Sequence, residues 1–145
     1  MNFLEVKNNV IIDQNQYLFF KVTNDYIKFT PAGLSFTGKN GMKKIDRIKQ
    51  LSNTEYKVIF RKEPDNKYDK WAIHMYISDK DKNEFVDIGY VPRKPLINKK
   101  QFNEYIYNHL DELDATLLLL NDMVIVKLEN KNISEVEFND FDLFI

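Results

Sequence analysis

The chain reads as mainly β with two helices, and three features of its sequence say so. Apolar and polar residues alternate over Tyr56–Phe60, Ala72–Ile77 and Phe85–Val91, the period of a half-buried strand. Turn formers separate these runs at Pro64-Asp65-Asn66 and between Ser78 and Glu84. Only two stretches carry apolar residues at helical spacing: Met42, Ile45, Ile48 and Leu51, then Phe102, Ile106, Leu110 and Leu113. At 145 residues the chain fits one domain that buries its core without cross-links.

Residues 1–25 form an N-terminal β extension, in which Asn9–Asp13 and Tyr17–Val22 flank a hairpin turn at Gln14-Asn15-Gln16. The domain proper spans 26–130. Tyr26–Phe29 is extended up to Pro31, which disfavours helix just before it. Ala32–Gly38 reads as a strand, with Gly33 and Gly38 each marking a bulge or a close backbone approach. A short helix over 42–51 takes Asn40 as its N-cap. Lys43, Lys44 and Arg47 fall off its buried face and point to solvent, as an ordinary solvated surface or as a patch facing phosphate. Tyr56, Val58 and Phe60 share one side of the next strand, and Ile73, Met75 and Ile77 one face of the strand after the loop. The longer helix covers 98–113, widened by Tyr105, with Asn98 and Gln101 resembling a capping box. Thr116–Leu120 and Met123–Leu128 make a C-terminal hairpin about Asn121-Asp122. Residues 131–145 are acidic and aromatic. Either they add a last strand through Val136 and Phe138, or they form a peptide that docks on a protein partner or competes for the chain's own basic surface.

With no cysteine there is no disulfide framework and no thiolate site. No secretory leader is recognisable at the N-terminus, and apolar runs such as Leu117–Leu120 are far too short to span a bilayer. A cytoplasmic protein with no membrane association is the expectation. The net charge of −1 conceals a segregation: 0 over residues 1–38, +7 over 39–100 and −8 over 101–145. Such asymmetry either marks a basic face that meets an anion or follows from a lysine-rich composition.

The middle of the chain carries the chemistry. The run Phe60-Arg61-Lys62-Glu63-Pro64-Asp65-Asn66-Lys67-Tyr68-Asp69-Lys70-Trp71-Ala72-Ile73 resembles the REPxNxYDxNAI signature of HIRAN domains. The return strand Ile88-Gly89-Tyr90-Val91-Pro92-Arg93 is similar to that family's IGYVPR, and Gly33-Leu34-Ser35-Phe36 to its opening strand. The resemblance covers residues 27–130. It implies a small OB-like or SH3-like closed β-barrel of about six strands with no enzymatic activity and no cofactor. Fused to eukaryotic remodelling helicases, such domains capture the 3′ end of single-stranded DNA; bacteria and phages also carry them unfused. By the matching motif, Asn66, Tyr68 and Asp69 would bind the strand end, with Tyr90 and Phe36 beside them. Two positions depart from the pattern: Trp71 replaces an asparagine, and Ser35 replaces an arginine of the DNA-binding relatives.

These residue types suit that work. A carboxylate at Asp69 accepts a hydrogen bond from a terminal hydroxyl and repels an internal phosphodiester. Tyr68, Phe36 and Tyr90 can stack bases, and Lys43, Lys44, Arg47, Lys62 and Lys67 can meet phosphates. Against this stand plainer roles: Asn66 and Asp69 closing their own turn, Tyr68 as a core tyrosine with a wet hydroxyl, and Arg61 with Glu63 as a structural ion pair or as strand-edge charges. Other chemistries fail. Asp79-Lys80-Asp81-Lys82-Asn83 begins like a calcium loop but has Glu84 where glycine is needed and Tyr90 where the last carboxylate belongs, so it is a hairpin tip. Pro64-Asp65 resembles the opening of a nuclease motif whose later D/E-x-K is absent from the next strand. His74 and His109 lie far apart in sequence without cysteine partners. The expected function is non-catalytic binding of single-stranded DNA or DNA ends. The alternative is a protein-interaction or inhibitor module, phage-encoded or bacterial, that keeps the barrel without binding DNA; Ser35 and the acidic tail favour it.

Overall fold

The computed structural model describes residues 10–12, 19–22, 26–38, 41–93, 101–121 and 123–130, with backbone alone before Ile27. In order these are β1 (Val10–Ile12), β2 (Phe19–Val22), β3 (Tyr26–Phe29), α1 (Lys44–Ile48), β4 (Glu55–Lys57), β5 (Ile59–Lys62), β6 (Ile73–Asp79), β7 (Glu84–Tyr90), α2 (Phe102–His109), a 3₁₀ turn at Leu110–Glu112, β8 (Leu113–Leu120) and β9 (Met123–Asn130). The strands form two antiparallel sheets, ordered β1-β2-β3-β9-β8-β4 and β5-β6-β7. The mainly β expectation with two helices therefore holds. The hydrogen-bonded ladders stay in two sheets rather than one closed ring among the described residues.

Two backbone links tie the sheets together. Chain passes from β4 to β5 through Val58, whose N–H donates to the Ala115 carbonyl at 2.9 Å. One nearly continuous strand thus pairs with β8 in its first half and β6 in its second, the way strands turn corners between packed sheets. Beyond β3, Ala32 and Tyr90 exchange N–H···O bonds of 2.8 and 2.9 Å, which joins the chain after β3 to β7. Gly89 makes this approach possible. A Cβ there would lie 2.4 Å from the Ala32 carbonyl oxygen, and its φ of +91° is left-handed. Gly89→Ala is expected to cost at least about 2 kcal/mol through strain and loss of the bridge, read as a lower midpoint in urea unfolding.

Apolar side chains of both sheets meet in one core. Alternation puts Ile73, Met75 and Ile77 of β6 and Val86 and Ile88 of β7 inside, all essentially inaccessible to water. From the other sheet come Ile27, Phe29, Leu117, Val126 and Leu128. Phe102 of α2 packs edge-on against Phe29, with ring centroids 5.5 Å apart. Each such side chain contributes about 1.5–3 kcal/mol by leaving water.

Several local expectations are corrected. Ala32–Gly38 is a turn carrying two isolated bridges, Ala32 to Tyr90 and Thr37 to Lys43, not a strand; Gly33 at φ +86° bends the chain away from the extended form. The first helix is only five residues, and Lys43 occupies its N-cap without a side-chain bond. Asn40, the expected cap, lies outside the described residues. The second helix opens at Phe102 with Gln101 as N-cap, so Asn98, which lies outside the described residues, is not its cap; Leu113 already belongs to β8. The hairpin about 14–16 and the tail 131–145 also lie outside them, although β1 and β2 do pair antiparallel. The C-terminal hairpin forms as expected, with Asn121 at φ +49° in its turn.

Candidate functional site

The loop between β5 and β6 is braced almost entirely by its own short polar side chains. The Glu63 N–H donates to the Ala72 carbonyl at 2.9 Å and closes its base. The Asn66 N–H donates to the Glu63 carbonyl at 3.0 Å, a β-turn with Pro64 at the position its ring favours. Asn66 Oδ1 then accepts the N–H groups of Tyr68 and Asp69 at 2.9 and 3.1 Å. Asp69 Oδ1 accepts the Trp71 N–H at 2.9 Å, and its Oδ2 accepts from Asn103 Nδ2 at 2.6 Å, tying the loop to α2. Arg93 Nε lies 3.8 Å from the same oxygen. Asn66 and Asp69 thus do close their own turn. Their bracing holds Tyr68 outward with its side chain 85% exposed, and neither ring nor hydroxyl has a partner among the described residues. Tyr68 is not a core tyrosine.

A polar array continues from this turn across the outer face of the β5-β6-β7 sheet. With Ile73, Met75 and Ile77 turned inward, His74 and Tyr76 must point out; Asp87 and Tyr90 face them from β7. Glu63 is the hub. Its Oε1 accepts from Tyr90 Oη at 2.9 Å and Asn66 Nδ2 at 3.1 Å, and its Oε2 lies 3.1 Å from His74 Nδ1. Tyr76 Oη is 2.9 Å from the same His74 nitrogen. His74 Nε2 approaches Asp87 Oδ1 at 2.8 Å but off the N–H direction, a close polar contact rather than an aligned hydrogen bond. The His74 ring stacks between Tyr76 and Tyr90, each centroid 4.3 Å away. Glu63 does not pair with Arg61, whose positive charge acts on the Tyr76 hydroxyl.

Electrostatics follow from these contacts. Burial alone would raise the Glu63 carboxyl, but hydrogen bonds from Asn66, Tyr90 and His74 outweigh it and hold the group below its ordinary 4.5. Asp87 behaves alike: burial opposes, while His74, the Gly89 N–H and Lys44 prevail and hold it below 3.8. Burial and the neighbouring Glu63 carboxylate push the Tyr90 hydroxyl well above 10, so it remains a donor.

Two of the expected phosphate contacts are corrected. Lys44 is buried, with Nζ 3.4 Å from Asp87 Oδ2 and 5.5 Å from the Tyr90 ring centroid. Arg47 donates to Asp79 Oδ2 at 2.7 Å and to Glu84 Oε1 through Nε at 3.0 Å. Neither points to solvent. A helix this short lies flat on the β6–β7 hairpin, so these long side chains meet its carboxylates. Lys43 and Lys67 are exposed, and exposed Lys62 sits with Nζ 4.4 Å over the Tyr107 ring. Phe36 is 68% exposed, beside Gly33 and joined to α1 by the Lys44 N–H at 3.0 Å. The structure therefore gathers Asn66, Tyr90 and Lys44 through Glu63 and Asp87, with Phe36 next to Lys44. Tyr68 and Lys67 stand at the loop apex.

Sequence reasoning passed over Glu63, His74, Tyr76, Phe85 and Asp87 as a group. For four of them the signal was present: the alternation that buries one face of β6 and β7 assigns His74, Tyr76, Phe85 and Asp87 to the other, whereas Glu63 lies in the loop after β5. Among the described residues no group of His, Asp or Glu is arranged to hold a metal ion; here the histidine nitrogens face carboxylates directly. No helix among them is long and apolar enough to cross a membrane. No family model matches the sequence, and neither a curated protein nor a solved structure matches it. The likeness to HIRAN domains rests on the two motifs of the loop and return strand.

Proposed function

We propose that this protein is a non-catalytic module that binds single-stranded nucleic acid, DNA ends above all, on a small OB-like barrel of six strands. The barrel reading takes β3 with its extension to Ala32, then β9, β8, the β4–β5 strand, β6 and β7, and back to Ala32 through the Tyr90 bridge. The observation that carries the functional reading is Tyr68, fully presented on a turn that Asn66 and Asp69 hold rigid. A backbone held before binding reduces the freedom lost when the exposed ring stacks on a base. Exposed Lys67 precedes Tyr68 in the chain, and Arg93 lies 3.8 Å from Asp69 Oδ2, so both supply cations to the loop. Asp69 makes one hydrogen bond through each oxygen, which leaves lone pairs for a terminal hydroxyl.

A second reading, a protein-interaction module, draws on Leu120 and Met123, exposed at the β8–β9 tip beside a cleft lined by Ile45, Leu51 and Leu119. Fluorescence anisotropy separates the two. Tyr68→Ala is expected to weaken binding of a single-stranded DNA by roughly tenfold or more. Asp69→Asn keeps the acceptor for the Trp71 N–H, and is expected to weaken a 3′-hydroxyl strand but not a 3′-phosphorylated one. Equal losses on both strands would remove end capture. No binding at low salt would remove the nucleic-acid reading and leave the protein partner.

A further inference from the structure

We infer that the fork between β4 and β6 is a strand-binding groove, and that its occupant is this chain's own segment 131–145. The inference stands apart from the nucleic-acid reading, because the fork lies at the opposite end of β5–β6 from the loop that carries Tyr68.

The fork is defined by hydrogen bonds that stop. On the β8 side, the Leu119 N–H donates to the Thr54 carbonyl and the Val58 N–H to the Ala115 carbonyl, both at 2.9 Å. Backbone groups point alternately left and right along an antiparallel strand. Thr54, Tyr56 and Val58 therefore face β8, while the N–H and C=O groups of Glu55 and Lys57 face away from it. Across the fork the same count applies. The Glu63 N–H donates to the Ala72 carbonyl, so Arg61 with His74 and Ile59 with Tyr76 are hydrogen-bonded pairs of that ladder. Lys57 with Ser78 would be the next, but the ladder ends at Ile59. Among the described residues β4 thus carries a ladder on one side only. Edge groups of this kind are a template for another strand. Beside them opens a cleft of about 440 Å³, lined by Tyr56, Lys57, Ile59, Ser78 and Lys80 among others, and Ile59 is 42% exposed.

Direction, reach and charge select the occupant. Both β4 and β9 run antiparallel to β8, so chain that leaves β9 and turns back meets β4 in the antiparallel sense. Asn130 pairs with Leu113, two residues from the Ala115 carbonyl that holds Val58. Two strand spacings of ~4.8 Å separate β9 from β4, a path that about five extended residues cover. A second groove crosses β8 along that path, lined by Glu129, Asp114, Thr116 and Lys57 among others. Lys57 and Lys80 are exposed cations of the fork, whereas its Asp79 is taken by Arg47 and its Asp81 by Ser52. The segment intersperses acids with Val136, Phe138, Phe141 and Leu143. Glu55 then decides the register. With Phe138 opposite Tyr56, Glu137 would face Lys57 and Asn139 would face Glu55, both favourable cross-strand pairs. Val136 or Phe141 in that place would set Glu137 or Asp142 against Glu55, and Leu143 would set Phe144 there.

Hydrogen exchange and cross-linking of the full chain test the docking. The Glu55 amide, which faces the fork without a ladder partner, should exchange roughly tenfold or more slowly than an unprotected amide. A carbodiimide should join Lys57 Nζ to the Glu137 carboxylate, within one chain when isotopically light and heavy protein are mixed. Phe138→Ser should release the Glu55 amide while those of Leu117 and Val126 stay slow, which separates undocking from unfolding. Lys57→Glu should release it too, and Lys57→Glu combined with Glu137→Lys should restore its protection. Unprotected exchange at Glu55 in the wild type would overturn the inference. So would cross-links from the segment to Lys43 or Lys67 instead, links only between light and heavy chains, or a charge swap that restores nothing.

Discussion

Arg47→Ala is expected to destabilise the protein by about 3–5 kcal/mol, the usual result of removing one partner of a buried ion pair. Asp79, the partner left behind, has a side chain only 4% exposed. Its carboxyl is held below the ordinary 3.8 chiefly by the Arg47 hydrogen bond, against burial. Without the guanidinium its remaining donors are the backbone N–H groups of Asp81 and Lys82, and it must stay charged between them or take up a proton. The helix that carries Arg47 spans five residues, too few to persist without tertiary contacts; Ile48 anchors it in the core, and its polar contacts to β6–β7 run through Arg47 and Lys44. Urea unfolding should show a large fall in midpoint with an unchanged slope. A change within 1 kcal/mol would mean that Asp79 finds water in the native state.

The second large effect is expected from Glu63→Ala, about 3 kcal/mol. The substitution leaves the Tyr90 hydroxyl, the Asn66 amide and His74 without their common acceptor, and hydrogen bonds to a charged group contribute about 1.5–3 kcal/mol each. The loop that presents Tyr68 hangs on the same residue, so affinity for single strands should fall with stability. A pH dependence follows. Glu63, Asp79 and Asp87 are all held below their ordinary 4.5, 3.8 and 3.8. Their stabilisation is fully present above those values and is lost as the pH falls through the lower folded-state values. Stability of the wild type should therefore be level above pH 4.5 and decline steadily below 3.8. In Glu63→Ala the acid decline should be shallower.

Strand positions were largely legible because alternation is a local signal. Ile73, Met75 and Ile77 declare a buried face, and the structure buries them. The helix ends were not legible: Asn40 and Asn98 look like caps in sequence, yet Lys43 and Gln101 occupy those positions without a side-chain bond. Tertiary packing against the sheets decides where such short helices begin. The turn chemistry of Asn66 and Asp69 could be read, since each bonds a backbone N–H within three residues. Engagement of Lys44 and Arg47 could not. Their partners Asp87, Asp79 and Glu84 lie 32 to 43 residues away in sequence, and only the approach of α1 to the hairpin brings them together. The Ala32–Tyr90 link was hidden likewise, although Gly89 within the IGY motif marks where a backbone comes close.

The site is tested most directly by mapping backbone amide shifts while a short single-stranded DNA with a free 3′ hydroxyl is titrated into the labelled protein. Shifts should concentrate at residues 66–70 and along 85–91, weakening as salt rises. Shifts confined to the β8–β9 tip around Leu120 and Met123, or none at all, would contradict a nucleic-acid surface built on the loop that carries Tyr68.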